Sequence, residues 1–181
     1  MPPITDQLDL GRLGLKAGGG TRFETAVRVG AFEFGEQRYA LADDPVIVTV
    51  DVSRTTSGYV VRLRCTAEIE GPCMRCYDDF ALVVPIDHSE IHEPHLDEDM
   101  ASEYVDDGKL DVSGVLRDAI GLALPTSISG PIGSDGRCGA CNRSEPELAA
   151  LGIVAELKAV DRLEAESEPD PRWAKLRELD L

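Results

Sequence analysis

The 181 residues are enough for one domain with its own core, and a hydrophobic share of 43% excludes a wholly disordered chain. Eighteen basic against 34 acidic residues leave a net charge of −16, which excludes a binder that holds nucleic acid or anionic membrane through a broad basic face. The start of the chain lacks the basic and apolar stretches of a secretory signal, and no apolar run approaches the roughly 18 residues of a membrane span, so the reading is cytoplasmic, with reduced thiols.

Residues 1–22 read as a flexible lead, loosened by Gly18-Gly19-Gly20, and residues 23–181 as a single domain. Strand patterning begins at Phe23. Val46, Val48, Val50 and Val52 alternate with Ile47, Thr49, Asp51 and Ser53, and Thr55-Thr56-Ser57-Gly58 makes a turn. Val61, Leu63, Cys65, Ala67 and Ile69 then alternate with Arg62, Arg64, Thr66, Glu68 and Glu70, the pattern of a strand buried on one face and wet on the other. Gly71-Pro72 breaks this run, Cys73-Met74-Arg75-Cys76 turns, and Phe80, Leu82, Val84 and Ile86 alternate again. The two runs predict an antiparallel hairpin with a Cys-x-x-Cys turn at its tip.

Residues 87–107 hold nine carboxylates, no Lys or Arg, and all three histidines, and read as an acidic surface loop. Residues 110–124 return to helical spacing, with Val112, Val115, Leu116, Ala119, Ile120 and Ala123 in one stripe and Pro125 as the stop. A Gly, Ser and Pro loop leads to Cys138-Gly139-Ala140-Cys141. Ser144 is placed to cap a helix over 145–164, and Asp170-Pro171 to start a short tail helix over 172–179. The fold class is therefore α+β: antiparallel hairpins, one core-packing helix, C-terminal helices and a zinc-ribbon-like cysteine corner.

Zinc prefers four sulfurs in a tetrahedron, and each Cys-x-x-Cys turn presents two. Cys73, Cys76, Cys138 and Cys141 would complete a closed shell around one structural ion, leaving no position for water or substrate. The pairs stand 62 positions apart, against roughly 15–20 in the familiar ribbon. Gly71-Pro72 beside one pair, and Gly136 and Gly139 around the other, are knuckle-like neighbours. Cys65 follows the buried phase of its strand and reads as a small core residue.

His88, His92 and His95, among Asp87, Glu90 and Glu93, would align on a helix and could hold a metal with an open position, but Pro94 interrupts such a helix. The plainer reading is a solvated acidic loop. No nucleophile elbow, phosphate-binding loop or dinucleotide fingerprint is present, and the expectation is a non-enzyme. The alternatives are a thiol-disulfide oxidoreductase, a metal-dependent hydrolase built on the histidines, or a zinc-stabilised interaction module.

Four segments in order carry a resemblance. They are Cys73-Met74-Arg75-Cys76 followed by Phe80, then Leu122-Ala123-Leu124-Pro125, then Gly136-Arg137-Cys138-Gly139-Ala140-Cys141-Asn142, and finally Asp170-Pro171-Arg172-Trp173-Ala174-Lys175-Leu176. From about Val46 to the C-terminus the chain resembles the YceD family, the large ribosomal RNA subunit accumulation proteins. The resemblance implies a non-catalytic accessory role in the accumulation and processing of 23S ribosomal RNA, with the cysteine pairs as metal ligands, and it brings no established reaction. It departs from the family's pattern at Ser129-Gly130-Pro131 and at Arg143-Ser144-Glu145-Pro146. The expected partner is a basic ribosomal protein or a ribosome precursor, with no small-molecule substrate and no membrane. Arg62, Arg64 and Arg75, on or beside the exposed hairpin face, are the candidates for local contact with RNA or a partner.

Overall fold

The structure, a computed structural model, describes residues 2–93 and 102–151. The chain divides into two units, Met1–Gly130 and Pro131–Leu181. In chain order the first unit contains β1 (Gln7–Asp9), a 3-10 turn (Gly11–Leu13), β2 (Gly20–Val27), β3 (Phe32–Phe34), β4 (Gln37–Leu41), β5 (Val46–Arg54), β6 (Tyr59–Pro72), β7 (Asp79–His92), β8 (Val105–Asp106), β9 (Lys109–Asp111) and α1 (Val112–Ala123).

β6 organises the larger sheet. Along one side it pairs with β5, from Thr49↔Arg64 to Arg54↔Tyr59, and further on with β4 at Ala40↔Glu70 and Leu41↔Ile69. Along the other it pairs with β7 over its whole length, from Tyr59↔His92 to Pro72↔Asp79. β2 adds to β5 and β3 to β4, so the order is β2-β5-β6-β4-β3 with β7 on the far side of β6. A smaller sheet has the order β1-β9-β8. Every named pairing is antiparallel.

The alternation seen in the sequence sets the two faces. Val46, Val48, Val50 and Val52 are buried together with Val61, Leu63, Ala67, Ile69, Val84 and Ile86, while Ile47 between them is exposed. Onto this inner face α1 lays its stripe Val112, Val115, Leu116, Ala119 and Ile120. Each Val, Leu or Ile side chain taken fully out of water contributes roughly 1.5–3 kcal/mol. The helix starts where the Asp111 side chain accepts the Gly114 N–H at 3.0 Å, and it ends before Pro125. It begins two residues later than the periodicity alone suggests because Leu110 belongs to β9, opposite Leu8. Arg117 fixes the helix to the segment after β2: its guanidinium donates to the Val29 and Ala31 carbonyls at 2.9 and 3.0 Å and lies 4.7 Å from the centre of the Phe32 ring.

Two sequence expectations change here. Residues 1–22 are not a loose lead in the described structure. Leu8 and Leu10 are buried, Asp6 accepts the Arg28 side chain and backbone N–H, and Gly18 N–H bonds the Arg54 carbonyl at 2.8 Å as the chain enters β2. Two leucines are too short a pattern to show a period, and their partner strand lies about a hundred residues away. The acidic stretch is likewise a strand as far as His92, because β6 continues opposite it after the apolar alternation has stopped at Ile86. The expected C-terminal helices are described only as α2 (Glu145–Ala150); the rest of 145–164 and the tail helix over 172–179 lie outside the described residues. What the described chain supports is an α+β fold dominated by antiparallel strands. No described helix is long and apolar enough to cross a membrane.

Candidate metal centre

The β6–β7 register brings the chain to a turn over residues 73–78. Cys73 N–H donates to the Asp78 carbonyl at 3.0 Å, and Tyr77 N–H returns to the Cys73 carbonyl at 2.8 Å. Tyr77 takes a left-handed backbone, φ 62°. Inside this turn the Arg75 N–H points at the Cys73 Sγ at 3.4 Å, and the Gly130 N–H reaches the same sulfur at 3.3 Å. Two N–H dipoles aimed at one sulfur suit a thiolate ligand. The loop after α1 is held against this turn by Met74 N–H to the Ile128 carbonyl at 2.8 Å and by Arg75 to the Gly130 carbonyl at 2.9 Å. Tyr39 closes the base. Its ring packs on Gly71, and its hydroxyl donates to the Pro72 carbonyl at 2.9 Å.

In the second unit the turn over residues 138–143 repeats this design. Cys138 N–H donates to the Arg143 carbonyl at 2.9 Å, Asn142 N–H returns to the Cys138 carbonyl at 2.7 Å, and Asn142 is left-handed, φ 58°. Thus Cys-Met-Arg-Cys-Tyr-Asp and Cys-Gly-Ala-Cys-Asn-Arg make the same two backbone hydrogen bonds and place the same position in the left-handed region. Isolated bridges Ile132↔Cys138 and Arg137↔Ser144 frame the second turn, and Arg137 donates to the Asn142 carbonyl at 2.7 Å. Gly139 N–H bonds the Pro131 carbonyl at 2.7 Å, an approach so close that a Cβ there would stand 2.9 Å from that oxygen. A capping box between Ser144 and Glu147 then opens α2, and the Ser144 N–H holds the Glu147 carboxyl below its usual range.

Cys73, Cys76 and Cys138 are buried and Cys141 is half-buried, and each turn by itself presents two sulfurs of the kind that ligate a metal ion. Cys65 stands apart on β6, half-buried against the core, and burial pushes its thiol up to about 11. Because the folded protein holds this proton above the ordinary value near 9, the associated stability is complete below pH 9 and is lost as pH rises toward 11. Alkaline denaturant titrations should show that decline, and Cys65→Ala should remove the part that begins near pH 9. An unchanged profile in the variant would contradict the assignment.

The arginines singled out in the sequence are engaged. Arg62 grips Asp87 through Nε and Nη2, both at 2.5 Å, and Arg64 donates to Asp51 at 2.6 Å, which Arg22 also contacts. These partners hold the Asp87 and Asp51 carboxyls below their usual range. Arg75 serves the loop at Gly130. His88 and His92 are separated by four residues of strand, about 13 Å of rise, so the helical alignment of the alternative, metal-binding reading does not exist. His88 Nε2 lies 3.7 Å from Glu90, His92 Nδ1 is buried without a hydrogen-bond partner among the described residues, and neither histidine enters a described group that could hold a metal. His95 lies outside the described residues. No local pattern marks Tyr39 or Gly130 as supports of the first turn; Asn142, a residue tolerant of the left-handed region, is a local signal of turn shape in the second.

A family model described as "Large ribosomal RNA subunit accumulation protein YceD" matches residues 61–180. The chain belongs to the YceD family. The match covers both cysteine turns, α1 and β7, while β1 to β5 precede it. Comparison with curated proteins and with solved structures gives no match.

Proposed function

We propose that this protein is a non-catalytic accessory factor in the accumulation of the large ribosomal subunit and its 23S RNA, held together by one structural zinc on Cys73, Cys76, Cys138 and Cys141. The observation that carries the metal is the identity of the two turns: the same pair of backbone hydrogen bonds and the same left-handed position recur around two Cys-x-x-Cys pairs of unrelated neighbouring sequence. Family membership supports the ribosomal role. Four thiolates close the shell, so the ion would organise the fold and leave no position for substrate.

The partner in this reading is a basic protein of the large subunit or its precursor in the cytoplasm. A net charge of −16 favours such a partner over bare RNA, and the aspartates on Arg62 and Arg64 weaken the case for those side chains as phosphate contacts. The test is complementation. Cells lacking the protein should show less 23S than 16S RNA, restored by the wild-type chain and not by Cys73→Ser made to equal abundance. Equal restoration by the variant would remove the metal from the function, and an unchanged RNA ratio on deletion would remove the ribosomal role.

A further inference from the structure

β7 is an edge. Its pairing partner is β6, and among the described residues its backbone makes no hydrogen bond to a strand on the other side. The phase of that edge follows from the turn. Because Cys73 and Asp78 are joined by a backbone bond at the head of the ladder, alternation makes Gly71↔Phe80, Ile69↔Leu82 and Ala67↔Val84 the hydrogen-bonded pairs. The backbone groups of Asp79, Ala81, Val83, Pro85, Asp87, Ser89 and Ile91 therefore face away from β6. Pro85, in the middle of a 14-residue strand, falls in this outward phase, the position where a missing N–H costs the ladder nothing.

Pro85 splits the open edge into two halves that differ in charge. In the later half Asp87 is occupied by Arg62. In the earlier half Asp79 is exposed, and the cross-strand neighbours of Ala81 and Val83 are the exposed Glu70 and Glu68. None of these three carboxylates makes an ion pair among the described residues. No Lys or Arg occurs anywhere in Asp79–His92, and Val83, 59% exposed, supplies an apolar contact within the row. A second copy of this edge would set carboxylate against carboxylate, which is unfavourable across strands.

We propose that the edge formed by residues 79–83 takes an extended, lysine- or arginine-bearing segment of a partner protein as an added strand. Backbone bonds to Ala81 and Val83 would supply the register, and cationic side chains at alternate positions would meet Asp79, Glu70 and Glu68. This rests on the reading of a basic partner given above and assigns it a surface.

The probe is a blocked nine-residue peptide of alternating lysine and valine, with a glutamate–valine peptide as its counterpart, followed by fluorescence anisotropy and by amide exchange of the full chain. The lysine peptide should bind, lose affinity with added salt, and slow exchange at Ala81 and Val83. Val83→Pro removes an outward N–H in the phase of Pro85, so it should leave the far-ultraviolet spectrum intact and weaken binding by roughly three- to tenfold. Glu68→Gln with Glu70→Gln should weaken binding and flatten its salt dependence. Unchanged exchange at Ala81 and Val83 in the saturated wild-type complex, a result that needs no variant, overturns strand addition. If the glutamine pair still weakens binding in that case, the basic-partner reading survives without this edge. No binding of the lysine peptide by the wild-type chain, or equal binding of the glutamate peptide, overturns both.

Discussion

Cys73→Ser and Cys138→Ser should each purify without a full equivalent of zinc and melt well below the wild-type protein. Serine keeps the size of the side chain but offers a neutral hydroxyl where zinc takes a soft thiolate, so a four-sulfur shell loses a quarter of its ligands. Structural zinc contributes apparent binding energies on the order of 10 kcal/mol in small sites, comparable with the whole stability of a domain. The Cys73 sulfur also receives the Arg75 and Gly130 N–H groups at full burial, so its loss disturbs the anchor of the loop after α1. Metal content of protein purified reduced and without added zinc, alongside thermal melts, gives the answer, with Cys65→Ser as the control that keeps its metal. A full equivalent of zinc in both variants would sink the site.

Gly71→Ala should lower stability by about 1–3 kcal/mol, an overpacking effect at the base of the first turn. A Cβ on residue 71 would stand 2.3 Å from Cδ1 of Tyr39 and 2.9 Å from its Cε1. Tyr39 is completely buried, and its hydroxyl is committed to Gln37 at 2.7 Å and to the Pro72 carbonyl, so the ring has nowhere to retreat without breaking the bond that steadies Cys73. Gly121 in α1 has open space around the same hypothetical atom, and Gly121→Ala should stabilise by up to about 1 kcal/mol through helix propensity. Denaturant melts of the two variants should move in opposite directions. A Gly71→Ala protein as stable as wild type would show that Tyr39 yields cheaply.

The legible parts of the fold were those written in local period. Valines of β5, the alternating faces of β6 and β7 and the apolar stripe of α1 each state their own burial within ten or so residues, and the hairpin tip followed from where alternation stopped and restarted. What escaped the sequence depends on distant partners. Leu8 becomes core only because Leu110 lies opposite it, and residues 87–92 become strand only because Tyr59, Val61 and Leu63 continue β6 alongside them. At the candidate metal centre the two Cys-x-x-Cys pairs were visible as residue types, each with the internal spacing of a turn. The likeness of the two turns was not, since it resides in backbone bonds and in left-handed Tyr77 and Asn142. Arg62 and Arg64 looked available for a partner because a single strand does not reveal which aspartate its neighbour supplies.

The long β6–β7 ladder also sets an order of events in folding. Its strands are joined by a turn of six residues, so the sheet's largest stretch of pairing can zip from a loop whose closure is entropically cheap. β1 is at the opposite extreme. It waits for β9, whose Leu110 stands 102 positions after its partner Leu8, and on a growing chain that partner has not been synthesised when the central hairpin's strands are complete. The first strand in the chain is thus among the last to be fastened, and fraying of the native protein should start there.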